Sequence, residues 1–264
     1  MLRYLRLLIL QLRTSVLLAA QYRWDFFLDA GIGLFWTAAA IMPLFVVYGG
    51  SNKAGVPGWS FGETLVVVGF FITLQAVLDG AINPGLQAVI DHIRKGTLDF
   101  VLLKPADAQF LVSTARFQLW RGAGLLHAAL VFTIAFREIG RLPTALGISE
   151  AVLLIGVAVA LLYSLWILII SLAFIMVKVD NLTYLFTSIF DAARWPSSVF
   201  RGPVKLVFTF VIPIAVMTTF PAEALLGRLE LKSLAYSLVG SAAFAMVARL
   251  VWIRSIARYT SAGG

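Results

Sequence analysis

Long apolar runs constrain this chain more than any other feature. A run of about 20 apolar residues rising about 1.5 Å per residue crosses the roughly 30 Å of bilayer hydrocarbon. Such runs recur near residues 26–48, 62–82, 112–136, 149–177 and 233–253. With 61% hydrophobic and 13% charged residues, the composition lies far from the soluble average of about a quarter charged. The sequence predicts an all-α membrane protein, read as one transmembrane domain over 1–264.

The number of crossings follows from charge. Basic residues gather at the N-terminus (Arg3, Arg6, Arg13, Arg23), around 83–116 (Arg94, Lys95, Lys104, Arg116) and near the C-terminus (Arg249, Arg254, Arg258). The positive-inside rule puts all three groups, and both termini, in the cytoplasm. An even number of crossings is then required, so six transmembrane helices are expected, the sixth drawn from the region after Asn181. The remainder, residues 201–222, is cut by Pro203, Pro213 and Pro221. It is expected to be a re-entrant outer element, because proline-broken backbone at membrane depth must be covered by protein or line a cavity. Pro203, Pro213, Phe220 and Pro221 are its candidate gate residues. Residues 1–22 carry arginines on one side of a 100° helical wheel and Leu5, Leu8, Ile9, Leu12 and Val16 on another. That pattern predicts an amphipathic helix lying in the membrane interface.

Residues 83–111 form a polar interruption between the second and third spans. Asn83 is expected to cap a short helix, with Pro84 at its first position. Leu86, Val89, Ile90 and Ile93 fall on one face, and Gly96 supplies a left-handed stop.

Several function classes are excluded or disfavoured by content. The chain has no cysteine and only two histidines, which leaves no thiolate chemistry and no metal cluster. No catalytic set is identified. The formal charge of +8 is scattered without an aromatic-interleaved basic face, so the charge is assigned to topology and lipid contact, not to nucleic acid. No Gly-x-x-x-x-Gly-Lys-Ser/Thr loop is present, so no nucleotide cofactor is expected on this chain. Ionisable residues inside spans cost about 2.5–3.5 kcal/mol each at a helix centre. Asp25, Asp29, Asp79, Arg121 and His127 therefore need partners or a function; Asp29 or Asp79 paired with Arg121 forms a possible intramembrane charge network. Asp191 and Arg194 stand one turn apart and can neutralise each other. The glycine pairs Gly31/Gly33 and Gly122/Gly124, and Gly156 with Ala160, would permit close helix approach.

The loop sequence Ile93-Arg94-Lys95-Gly96-Thr97-Leu98-Asp99-Phe100-Val101-Leu102-Leu103-Lys104-Pro105 resembles the signature of ABC-2-type permeases, the membrane subunits of a class of bacterial ABC exporters. The Trp195-Pro196 to Phe200 element and the Ile212-Pro213, Phe220-Pro221-Ala222 and Leu225-Leu226-Gly227 run resemble that family's pattern before the last span. The resemblance implies an ATP-driven transporter of the bacterial inner membrane, whose ATP and Mg are held by a separate ABC ATPase expected in two copies. It also implies a second permease chain, identical or homologous. The 83–105 loop would be the coupling element, with Asp91, His92, Arg94, Lys95, Gly96, Thr97, Leu98 and Asp99 as candidate ATPase contacts. The alternatives are a standalone secondary carrier or channel, or an intramembrane enzyme.

Overall fold

Helix is the only regular structure among the described residues, which in this computed structural model are 2–21, 23–49, 55–174 and 180–259, with main chain alone for 23, 25 and 180–182. The chain runs α1 (Leu2–Gln21), α2 (Arg23–Gly49), α3 (Phe61–Val77), α4 (Asn83–Arg94), α5 (Asp99–Leu102), α6 (Ala108–Ser113), α7 (Ala123–Ile139), α8 (Ala145–Ser171), α9 (Asp180–Phe190), α10 (Gly202–Leu206), α11 (Phe220–Leu225) and α12 (Leu231–Ala257).

α3 is the hub. Val66, Val67 and Val68 are all buried, as expected of a helix that is apolar all round and packed on several sides. It crosses α7 closely: a Cβ on Gly124 would sit 2.8 Å from the Ala76 Cβ, and one on Gly69 2.7 Å from the Phe132 ring, whereas Gly31, Gly122 and Gly156 face open space. Of the predicted glycine contacts, only those of Gly33 and Gly124 are therefore made. α2 turns Phe27, Phe35, Met42 and Val46 outward; so much contiguous exposed apolar surface fits a lipid-facing helix.

Five helical stretches are long and apolar enough to cross a bilayer: Phe26–Gly49, Phe61–Arg94, Leu119–Ile139, Ala145–Phe174 and Leu231–Ala257. The third begins at Leu119, not near 112. Residues 114–118 are unwound because Phe117 N–H donates to Ser15 Oγ (3.2 Å) and Gln118 N–H to the Gly80 carbonyl (2.8 Å), outside any helix. The end predicted for the fourth span, 175–177, lies outside the described residues.

The sixth crossing is not the single helix expected after Asn181. α9 has 11 residues, about 16 Å of rise, and gives way to a 3-10 turn at Asp191–Arg194. The other apolar stretch is a pair, Gly202–Val211 and Ala215–Leu225, bent by 69° where Pro213 lacks an N–H and disfavours helix at Ile212. Tyr236 of α12 touches both arms: its hydroxyl donates to the Thr209 carbonyl and its ring meets Phe220 edge-on at 6.4 Å. Both arms of the bent pair are thus held against α12.

Polar contacts concentrate at two rims. At one, Ser60 and Glu63 form a capping box on α3, and Arg228 lies 4.0 Å over the Trp59 ring and 3.4 Å from Glu63 Oε1. At the other, the Asp107 carboxylate caps α6 through Phe110 N–H (3.0 Å) and pairs with Arg249 of α12, while Tyr4 of α1 accepts from Asp107 N–H (3.2 Å). Arg249 also donates to Gln109 Oε1 (2.7 Å), and Gln109 and Ser113 both bond the Tyr163 hydroxyl of α8 (3.0 and 2.7 Å). Three helices thus hold the 107–113 segment.

The bond from Arg249 holds the Asp107 carboxyl below its ordinary 3.8, assisted by the Phe110 amide and opposed by partial desolvation. A lowered carboxyl pKa stabilises above the unfolded value and ceases to do so as pH falls through the folded one. Wild-type protein in detergent should thus melt above Asp107→Asn at pH 6, and the two melting curves should converge well below pH 4. Overpacking a tight crossing costs about 1–3 kcal/mol, so Gly124→Val should lower the melting temperature and Gly122→Val should not.

Candidate functional site

The second span does not end where a loop was expected to begin. Pro84 has no N–H to give to the carbonyl four residues back, and a π turn at Leu78–Ile82 widens the helix around that gap. The freed Gly80 carbonyl accepts from Gln118 N–H. Asn83 is consequently not a cap. It lies inside continuous helix, with φ −61° and ψ −43°, and its Oδ1 accepts from Trp166 Nε1 at 3.2 Å and Gln87 Nε2 at 3.5 Å. α3, the π turn and α4 form one rod from Phe61 to Arg94.

α4 buries Leu86, Val89 and Ile90 and packs so closely on α6 that a Cβ on Gly85 would meet the Val112 carbonyl at 2.6 Å. Gly96, at φ +63°, ends the helix in a Schellman motif: Thr97 N–H donates to the His92 carbonyl (2.9 Å) and Gly96 N–H to that of Ile93 (3.2 Å). His92 Nδ1 and Thr97 Oγ1 are 2.8 Å apart. Asp91, Arg94 and Lys95 are exposed, and His92, Gly96, Thr97 and Asp99 half-buried.

Leu98 is fully enclosed, at 0% exposure. Its side chain faces inward, because Leu98, Val101 and Leu102, at i, i+3 and i+4, form the inner face of the turn that contains α5. The same spacing turns Phe100 and Leu103 outward, 68% and 80% exposed. Sequence reasoning missed both, although helical periodicity applied to 98–103 would have found them.

Where α2, α3 and α7 meet near the same rim, Arg121 Nη1 lies 3.0 Å from Asp29 Oδ1. Asp79, Arg121 and His127 line a cavity of about 150 Å³ walled by Trp36 and Phe71. Gly33 makes room for the imidazole: a Cβ there would sit 2.7 Å from His127 Cε1. Asp29 is the carboxylate that reaches Arg121, with Asp79 on the same cavity wall. The side chain of Asp25 lies outside the described part of the structure. Asp191 and Arg194 pair at 3.2 Å, with the guanidinium 5.3 Å above Phe71. Among the described residues there is no group of three or more His, Cys, Asp or Glu able to hold a metal.

At the bent pair, Pro213 and Pro221 are buried, Phe220 half-buried and Pro203 exposed. Pro213 and Phe220 line a crevice of about 340 Å³ with Phe200, Phe208 and Tyr236. Pro221, like Pro84, follows a π turn, here Ala215–Thr219.

A family model described as "ABC-2 family transporter protein" matches residues 34–263. No curated protein and no solved structure gives a match. The matched stretch takes in the rod, the 83–118 segment, the bent pair and the last span, and the family is one of transport membrane subunits rather than enzymes. With that match over most of its length and its apolar helices, the chain belongs to the ABC-2 family of membrane transporter proteins.

Proposed function

We propose that this chain is the permease of an ATP-driven exporter in a bacterial inner membrane, with both termini and the 83–105 segment in the cytoplasm. Two permease chains, identical or homologous, enclose the pathway, and two copies of a separate ABC ATPase hold ATP and Mg. The observation that carries this reading is the exposed pair Phe100 and Leu103, presented on a turn whose backbone is locked by Gly96 and by buried Leu98. Around it stand the charges of Asp91, Arg94, Lys95 and Lys104. An apolar centre with a charged rim is the anatomy of a protein interface.

The rod gives such an interface mechanical effect. Closure of the paired ATPases would displace α4, and because α4 and α3 are one helix, that displacement would reach the bundle centre without a hinge. ATP can pump only if the two conformations differ in affinity for substrate. The bent pair with Pro203, Pro213, Phe220 and Pro221 is the proposed outer gate; the Asp29, Asp79 and Arg121 cluster lies at the proposed cytoplasmic end of the pathway.

Full burial of an apolar side chain contributes about 1.5–3 kcal/mol. Replacing Phe100 and Leu103 together by Ser should therefore weaken ATPase binding about 100-fold or more and abolish ATP-dependent transport in reconstituted vesicles, with insertion and melting temperature unchanged. Wild-type ATPase affinity in the double variant would refute the docking surface. Leu98→Asp should instead lower the melting temperature, since it buries an unpaired carboxylate.

A further inference from the structure

The cavity of about 150 Å³ among α2, α3 and α7 holds polar groups that the Asp29–Arg121 pair does not use. Asp79 and Phe71 both line it, about two turns apart along the rod, which is about 12 Å of rise. A Cβ on Gly80 would sit 3.5 Å from that of Arg121, so the ion pair lies at the Asp79 end. Gly33 meets His127 and Gly124 meets Ala76, which carries Trp36 of α2 and Phe71 of α3 to the other end. The cavity thus has a charged end and an aromatic one.

Its charges do not balance. Arg121 is taken by Asp29 (3.0 Å), and Arg194, whose guanidinium covers the Phe71 ring, by Asp191 (3.2 Å). Asp79 makes no ion pair with any described residue. Nor do the side chains of Gln75 and His127, on the same walls, hydrogen-bond any described residue. Gln75 stands one turn from Asp79, close enough for one donor group to reach both. A carboxylate inside a span calls for a countercharge, and the described side chains leave none free for it.

The chemistry of a ligand follows from that imbalance. An anion meets Asp79 and finds no free cation. The phosphate of a lipid headgroup fails for the same reason, and a neutral molecule leaves the carboxylate unmet. A protonated amine donates N–H bonds both to Asp79 and to the Gln75 side-chain carbonyl. At the other end Trp36 and Phe71 offer apolar wall, and a cavity of about 150 Å³ has room for a benzene-sized ring.

We infer that this cavity binds a small amphiphilic amine that carries no phosphate. Its ammonium sits on Asp79 and Gln75, its ring-sized apolar body lies towards Trp36 and Phe71, and a short tether joins the two. That such an amine is what the chain transports rests on the permease reading proposed above; its binding does not.

The test uses the full-length chain in detergent, without ATPase, so that failure here is separate from failure of the permease reading. Equilibrium dialysis would measure radiolabelled phenethylamine and phenethyl alcohol, with uptake by empty micelles subtracted. The amine should bind saturably and about tenfold or more tighter than the alcohol, as one charged hydrogen bond provides. Phenylacetate and phosphatidylethanolamine should displace none of it. Asp79→Asn should weaken the amine about tenfold, to the level of the alcohol, with alcohol binding and melting temperature unchanged. Trp36→Ala should weaken both ligands, and Glu138→Gln, an exposed carboxylate at the far end of α7, should weaken neither. The assignment is overturned by absence of saturable amine binding, by equal affinity for amine and alcohol, or by displacement with phosphatidylethanolamine. It is equally overturned if Asp79→Asn keeps wild-type amine affinity or loses the alcohol as well.

Discussion

One hydrogen bond, from Gln118 N–H to the Gly80 carbonyl, resolves the constraint on which the rest of the structure depends. A backbone carbonyl shielded from water needs a partner, and Pro84 removes the one that Gly80 would have had. The chain could have broken there. Instead a π turn absorbs the proline, Gln118 supplies the missing donor, and Asn83 anchors to Trp166. The second span therefore continues as α4, and the third span is registered against it by main chain.

Two properties follow from that arrangement. The segment after the second span is firmly held although it is polar: Gly96, Leu98, Gly85 and the Asp107–Arg249–Tyr163 network hold it against α6, α8, α12 and α1. A segment held in this way can present Phe100 and Leu103 in a fixed geometry, which is what the proposed docking role requires. The ion pair between Asp29 and Arg121 also falls at the level of the π turn, in a cavity shared with Asp79.

Much of this was legible in the residues. Apolar run length gave five spans within a few residues at most ends, and the Gly96 stop and the inward face of Leu86, Val89 and Ile90 followed from helical rules. The misreadings share a cause: local signals were overridden by distant partners. Asn83 and Pro84 look like a helix start, and only Gln118 and Trp166, far along the chain, make them a helix interior. The third span was placed too early because nothing local reveals that Ser15 and Gly80 draw Phe117 and Gln118 out of helix. Leu98 stands in a polar motif that looks like surface, while its burial depends on a three-dimensional face. After Asn181 the apolar residues are divided between α9 and a pair of helices bent by 69°, which brings the candidate spans to six when the pair is counted as one broken span.

The central claim is that α3 and α4 move as one body when the partner ATPase closes. The chain has no native cysteine to remove, so spin labels can be attached through Pro57→Cys and Lys95→Cys, beyond the two ends of the rod. Electron–electron distance measurements on the reconstituted complex, free and with ATP trapped, test it directly. The account predicts an unchanged 57–95 distance within one chain together with a shift in the 95–95 distance between paired permeases. A change of several ångströms within the chain would mean that the π turn is a hinge, and would contradict it.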